Sequence, residues 1–411
     1  MPDILSQGGG REPGPWPRRV AVAAAVLALV AVTVVHYLPR ALHGSAQPHA
    51  SATPTPAQPP LADSSAVSGD GAVASEPDGI TGPVSSWPDG LRLLAAGQQP
   101  AWFWPATGQL ESIGGLPPQQ SGYRVTRVPG GWTVQAVPAA PTVCNGCDGS
   151  LRAVYFLADA GRSVTMVGLA DAVAPGIAGG LWLTSEPPDA APGRGAATAR
   201  EVSVAGRQLG PVVSLPAGYV IVQGTGRGLL LAPVIQASGT MADELWDPVT
   251  QRSTRSFADV IAASTTQIAW APACAARCQV QVLDLTTGRQ VTAQLPAASS
   301  VANASFSPDG RFLALELSFG DNDDDGELAV QLESVSMASG RLTVVPQTWA
   351  SSDALVGFGW PASGDSLVAE LNFTSKVQLA SWRPGASRLA IAALTPGHGP
   401  APLVIGQYSP S

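Results

Sequence analysis

Histidine and lysine are nearly missing from this chain, and their scarcity excludes more chemistry than any motif supplies. Lys376 is the sole lysine, and the histidines are His36, His43, His49 and His398. Three of these precede residue 50, so a Ser-His-Asp hydrolase has one candidate base, set in a Gly/Pro-rich stretch near the C-terminus. A metal centre built from several histidines is excluded from the C-terminal part for the same reason. Charge is scarce as well, at 13% of residues, whereas Gly (45) and Pro (38) are abundant. No helical period runs through residues 87–411. That balance, with many Val, Leu and Thr, favours short strands and frequent turns over long helices. Arginine in place of lysine, with plentiful Ala, Gly and Pro, is the composition of a GC-rich bacterial genome.

The formal net charge is −8. Within residues 1–40, Arg11, Arg18, Arg19 and Arg40 stand against Asp3 and Glu12, leaving +2 there and −10 for the remainder. An acidic body of that kind is poorly suited to gripping nucleic acid or an anionic membrane.

One long apolar run is present. Residues 20–38, VAVAAAVLALVAVTVVHYL, carry no charge, and as a helix they rise about 28 Å, enough to cross a bilayer core. Arg11, Arg18 and Arg19 precede the run, which predicts a cytoplasmic tail over 1–19 and a single-pass signal anchor over 20–38. A cleaved signal peptide with twin arginines is the competing reading, and it too sends the rest of the chain out of the cytoplasm. Residues 39–86 are rich in Ala, Ser, Pro and Thr and predict a disordered linker, able to reach about 35 Å as a partly extended coil.

Residues 87–411 repeat one supersecondary pattern. Seven outer hairpins are legible, at 102–113, 154–167, 201–213, 244–257, 280–295, 335–345 and 381–391. Six are preceded by an inner strand pair: YRVTRV/WTVQAV, DAVAPG/GLWLTS, YVIVQG/GLLLAP, DVIAAS/QIAWAP, ANASFS/FLALEL and LVGFGW/SLVAEL. The first unit has only LRLLAA (91–96), while PLVIGQY (402–408) is left over at the C-terminus. Ring closure, in which the last strand completes the first unit, uses both and removes an open sheet edge. Seven units give a repeat of about 46 residues, and six or eight would give about 54 or 41, so length alone does not set the number.

The clearest copy is VANASFSPDGRFLALEL, Val301 to Leu317. Within it Ser307, Pro308, Asp309 and Gly310 form a tight turn, with Gly310 at the left-handed position. This segment resembles the SPDG hairpin of TolB-like and WD-repeat propellers, although the Gly-His and Trp-Asp marks of the full WD repeat are absent. The resemblance implies an all-β propeller and a family role as an interaction platform, and the seven outer hairpins predict seven four-stranded blades.

Four cysteines occur as Cys144-Asn-Gly-Cys147 and Cys274-Ala-Ala-Arg-Cys278, each pair just before a third strand. A redox CxxC needs a helix start that is not present. A zinc site needs the two pairs to converge. Two short-loop disulfides fit an oxidising compartment.

Asp321, Asp323, Asp325 and Glu327, with Gly326, follow the first half of a calcium loop, but the twelfth position is Leu332 in place of the bidentate Glu. Calcium binding and a solvated acidic loop both remain open; no other cofactor is called for.

Asp89, Asp309, Asp353, Asp365 and Glu370 are the loop or strand-end acids available to a glycosidase-like pair, and no spacing singles out two of them. Nine tryptophans, 102, 104, 132, 182, 246, 270, 349, 360 and 382, recur along the repeats, which predicts inter-blade packing or a ligand platform. The reading favoured by the residues is a membrane-anchored, extracytoplasmic, monomeric and non-enzymatic propeller that binds a protein, peptide or glycan of the cell envelope. A hydrolase or lyase using loop carboxylates is the alternative. A flat Trp- and Arg-rich face favours binding; convergent acids in a concavity favour the enzyme.

Overall fold

The computed structural model describes residues 91–95, 99–105, 107–117, 123–136, 151–159, 161–186, 196–233, 242–272, 278–297, 299–319, 329–348, 350–351, 355–361, 364–373, 376–393 and 403–404. The expected anchor (20–38) and linker (39–86), the 321–327 acidic loop, and Cys144, Cys147 and Cys274 lie outside those residues. Among the described residues no helix is long and apolar enough to cross a membrane.

The chain is a seven-bladed β-propeller of antiparallel sheets. Blade 2 is Tyr123–Val128, Gly131–Ala136, Arg152–Ala158 and Thr165–Ala170. Blade 3 is Ala172–Pro175, Leu181–Ser185, Thr198–Val202 and Val213–Ser214. Blade 4 is Tyr219–Thr225, Gly228–Pro233, Asp243–Asp247 and Arg252–Phe257. Blade 5 is Val260–Ala263, Gln267–Trp270, Gln279–Asp284 and Gln290–Gln294. Blade 6 is Ser299–Phe306, Phe312–Phe319, Ala329–Ser336 and Leu342–Val344, with Ala350–Ser351 as a second outer piece. Blade 7 is Leu355–Gly359, Leu367–Phe373, Lys376–Trp382 and Ala390–Ala393.

Blade 1 combines the two ends of the domain. Leu93–Ala95, Ala101–Trp104 and Gln109–Ser112 are its second to fourth strands, and Leu403–Val404 supplies the innermost one, with Leu94 opposite Val404. The closure expected from the leftover strand is therefore present.

Each blade has two apolar faces, because strand side chains alternate and both neighbours are sheets. One buried cluster fills each of the seven interfaces. Trp102 and Trp132 lie between blades 1 and 2, Trp182 and Trp246 between 3 and 4, Trp270 between 4 and 5, and Trp360 and Trp382 between 6 and 7. Aliphatic clusters fill the 2–3 and 5–6 interfaces, and Leu91, Phe103 and Val368 meet between 7 and 1. These tryptophans are packing residues, and the Trp102 indole also ties two blades by donating from Nε1 to the Gly161 carbonyl at 2.7 Å.

The inner strands of blades 4 to 7 share one irregularity. Each slips by a residue near its middle: between Ile221 and Gln223, Val260 and Ala262, Val301 and Asn303, and Leu355 and Gly357. A bulge adds twist and bends the strand, and here it recurs along the channel-side edge of four successive blades.

Candidate functional site

Antiparallel blades sort their connections by face. The links from first to second and from third to fourth strands leave at one end of the ring, and all others leave at the opposite end. At the first end the Gly-Arg dipeptide recurs. Gly161-Arg162, Gly206-Arg207, Gly226-Arg227, Gly288-Arg289, Gly310-Arg311 and Gly340-Arg341 all fall in these turns. In five of the six the turn also closes on a backbone bond from the glycine N–H or its partner residue, as in Gly288 N to Asp284 O at 2.8 Å and Gly340 N to Ser336 O at 2.8 Å. Arg252, Arg383 and Arg388 stand at the same end, and all nine arginines are exposed.

The acids there include Asp159, Asp247, Asp284, Asp309 and Asp365, with Glu111 paired to Arg162 at 2.7 Å and Glu201 against the Gly176–Gly180 turn. Asp247, Asp284 and Asp309 are committed to their own turns. The Asp284 carboxylate accepts from the Thr286 and Thr287 N–H groups at 2.8 and 3.0 Å, and the Thr287 bond is the leading reason its pKa falls below the ordinary carboxylate value. Asp247 accepts from Val249 N and Thr250 Oγ1 and is likewise lowered, chiefly by Thr250. Asp159 pairs with Arg127. Among the described residues the connections at the opposite strand ends hold Asp171, Glu186 and Asp259, while Arg152, Asp243 and Lys376 begin strands there. The exposed arginines of the described turns thus collect on one face.

A groove of about 320 Å³ opens on that face between blades 5 and 6, lined among others by Asp284, Arg289, Arg311, Phe312, Ser336 and Met337. Arg289 reaches across the seam and donates from Nη2 to the Ala338 carbonyl at 2.6 Å. The Ser307–Gly310 turn forms one wall. Asp309 accepts from Ser307 Oγ at 2.7 Å and Arg311 N at 3.0 Å, and pairs with Arg311 Nε. Burial works to raise this carboxyl, but those bonds outweigh it and hold it below its usual value. Beneath lies Gln267, 8% exposed, whose Nε2 donates to the Gly310 carbonyl at 3.0 Å while Oε1 has no hydrogen-bond partner. Gly310 has φ +68°, and a Cβ there would sit 2.9 Å from Gln267 Oε1, so two constraints require glycine.

Three buried glutamates occupy successive interfaces. Strand register places Glu333 opposite Leu315, on the face toward blade 5, and Glu316 opposite Leu332, toward blade 7. Glu370, opposite Leu379, faces blade 1. Glu316 accepts from Asn303 Nδ2 at 2.6 Å, and burial nevertheless raises its pKa. Glu333 is 2% exposed, its Oε2 has no hydrogen-bond partner, and burial lifts its pKa to about 7.

Of the candidate acids of the sequence, three lie among the described residues. Asp309 and Asp365 lie in corresponding turns of blades 6 and 7, and Glu370 is a mid-strand core residue, so it is no loop carboxylate. Asp89 and Asp353 lie outside the described residues, as do Asp321, Asp323, Asp325 and Glu327. Cys278, the one cysteine among the described residues, directly precedes the third strand of blade 5 and has its sulfur in a disulfide. The arginine face was readable from the recurring Gly-Arg pairs; the groove was not, because it is formed by residues 19 to 71 positions apart on two blades.

No protein-family profile and no curated relative matches the sequence. Solved structures with a similar fold include TolB from Acinetobacter baumannii, at 10% identity and TM-score 0.38, covering 71% of this chain and 61% of TolB. A protein from Lactobacillus plantarum matches at 11% identity and TM-score 0.44, covering 73% and 94%. The periplasmic gluconolactonase of Pseudomonas aeruginosa matches at 16% and 0.43, covering 74% and 95%. The chain thus spans about three-fifths of TolB's length, and likenesses this distant speak to no activity or partner.

Proposed function

We propose that this chain is a membrane-anchored, extracytoplasmic binding module whose propeller docks an acidic protein, peptide or glycan of the cell envelope. The observation that carries the reading is the arginine face: nine exposed guanidiniums at one end of a domain whose net charge is negative. Guanidiniums on short glycine turns are held close to rigid sheet ends, which suits them to bidentate pairing with carboxylate or phosphate groups. The 20–38 segment supplies the anchor in this reading, Cys144–Cys147 and Cys274–Cys278 clip two loops, and 321–327 is a calcium loop. The bonded sulfur of Cys278 supports the second clip.

The test is in-cell crosslinking of tagged full-length protein beside an Arg207→Gln/Arg227→Gln/Arg341→Gln variant. Envelope components captured by the wild type and lost with the variant support the reading. Equal capture by both, or capture by neither, refutes it.

A further inference from the structure

The chain enters the propeller on the arginine face. Leu91, where the described residues begin, leads into Leu93–Ala95, and Leu93 lies opposite Phe103, beside the Trp104 end of the third strand. Arg92 fixes the placement: its guanidinium donates to the carbonyl of Asp159, in the corresponding turn of blade 2, and lies 5.5 Å over the Trp104 ring. A tether from residues 20–38 therefore meets the domain on this side. Apolar tips stand among the arginines here, on blades 3 and 4. Val249, at 88%, is the most exposed large hydrophobic residue among the described ones. Its turn is well held: Asp247 accepts from Val249 N at 2.9 Å and from Thr250 Oγ1 at 2.7 Å, and Gln251 takes a left-handed φ of +54°. That turn does not require valine. Blade 5 builds the same turn with Thr286 in its place, where Asp284 accepts from Thr286 N at 2.8 Å and Gly288 is the left-handed residue. Ile177, 45% exposed, tips the first-to-second turn of blade 3. Gly224 packs on Gly176 and Gly228 on the Trp246 carbonyl, so the blade 4 turn that carries Arg227 lies between the two apolar tips. Arg252, paired in register with Asp247, flanks Val249 on the other side. Among the described residues neither arginine is in a salt bridge.

We infer that the blade 3–4 sector of the arginine face rests on an anionic phospholipid bilayer. Val249 and Ile177 enter the headgroup region, and Arg227 and Arg252 pair with lipid phosphates. Protruding apolar tips on a rigid sheet end suit a soft surface that deforms around them. The negative net charge of the chain predicts the opposite. Charges beyond a Debye length of about 8 Å are screened, however, so the bilayer meets the near face and not the whole acidic domain. The tether holds the sector at high effective concentration, so a weak contact suffices. The inference rests on the reading of 20–38 as an anchor and adds a lipid surface to what the arginine face meets.

Hydrogen exchange on the full chain in lipid nanodiscs tests it, with discs of phosphatidylcholine alone and of phosphatidylcholine and phosphatidylglycerol in equal parts. Peptides covering Gly176–Gly180 and Asp247–Arg252 should exchange about fivefold more slowly in the anionic discs, and high salt should remove the difference. Peptides covering Ala258 and Asp259, at the opposite end of the ring, should exchange equally in both. Val249→Asp/Ile177→Asp and Arg227→Gln/Arg252→Gln should each abolish the slowing, and melting curves check that both variants are folded. The inference is overturned if the two kinds of disc give equal exchange, if slowing appears at both ends of the ring, or if both variants keep it. A chain that does not stay with the discs refutes the anchor reading and this inference together. Should lipid dependence be absent while crosslinking still depends on Arg207, Arg227 and Arg341, the bilayer contact falls and the binding face stands.

Discussion

Replacing Glu333 by glutamine should stabilise the protein in mildly alkaline solution and leave it unchanged in acid. Glu333 lies in the 5–6 interface, 2% exposed, among Leu315, Val335, Val280 and Val282, and its Oε2 has no hydrogen-bond partner. Desolvation alone lifts its pKa from 4.5 to about 7. The acid is neutral in both folded and unfolded chains below pH 4.5, so no penalty exists there. Between the two values the unfolded chain ionises first and folding must take up a proton, so stability falls as pH rises. Above the folded value the loss levels off at about 3 kcal/mol, from roughly 1.4 kcal/mol per pH unit. For a domain of this size that is about 5 °C in melting midpoint. The assay is thermal melting of wild type and E333Q at pH 5 and pH 8, where all other titrating groups cancel in the difference. Curves separated by the same amount at both pH values, or a variant less stable at pH 8, would refute the reasoning.

Three further outcomes follow from the fold. Gly310→Ala should cost about 2 kcal/mol or more in denaturant titrations, because it combines left-handed strain with a Cβ 2.9 Å from Gln267 Oε1, whereas Gly288→Ala (φ +74°, nothing within 4 Å) should cost only about 1 kcal/mol. Trp102→Ala should lose about 3–5 kcal/mol through its cavity, and Trp102→Phe about 1 kcal/mol through the lost bond to Gly161. Deleting residues 402–411 removes the strand that pairs with Leu94 and Ala95, and size-exclusion chromatography should then show association through the freed edge of blade 1.

Much of this architecture was legible because a propeller writes its fold locally. Turn glycines such as Gly288 and Gly310 and period-two alternation give the count of outer hairpins locally, and the leftover PLVIGQY segment, matched to an incomplete first unit, gives the closure. The turn around Ser307–Gly310 is also local, and the bonds made by the Ser307 and Asp309 side chains stay within five residues. What escaped was whatever depends on neighbours. Glu316 and Glu370 sit in apolar runs, ALELSF and VAELNF, where one acid looks like a solvent-facing strand residue. Only the blade stacked against it makes that position a core. The same holds for Gln267, whose role appears when Gly310, 43 residues later, closes over its amide.

The placement of those acids makes the ring uneven. Interfaces 1–2 through 4–5 have no buried glutamate among the described residues, and the first of them is reinforced by Arg92 over Trp102 at 4.5 Å and Arg127 over Trp132 at 5.1 Å. Interfaces 5–6, 6–7 and 7–1 each bury one. Ionising Glu333 therefore weakens the ring selectively at the seam that carries the groove, and the free energy of local opening there should drop before that of blades 1 and 2. Hydrogen exchange makes this visible. At pH 8, after correction for intrinsic rates, amides of Phe312–Phe319 and Gln279–Asp284 should be less protected relative to Gly131–Ala136 than they are at pH 5, and E333Q should abolish the difference. Uniform loss of protection around the ring would show that the blades open together, and the seam would then have no independent response to pH.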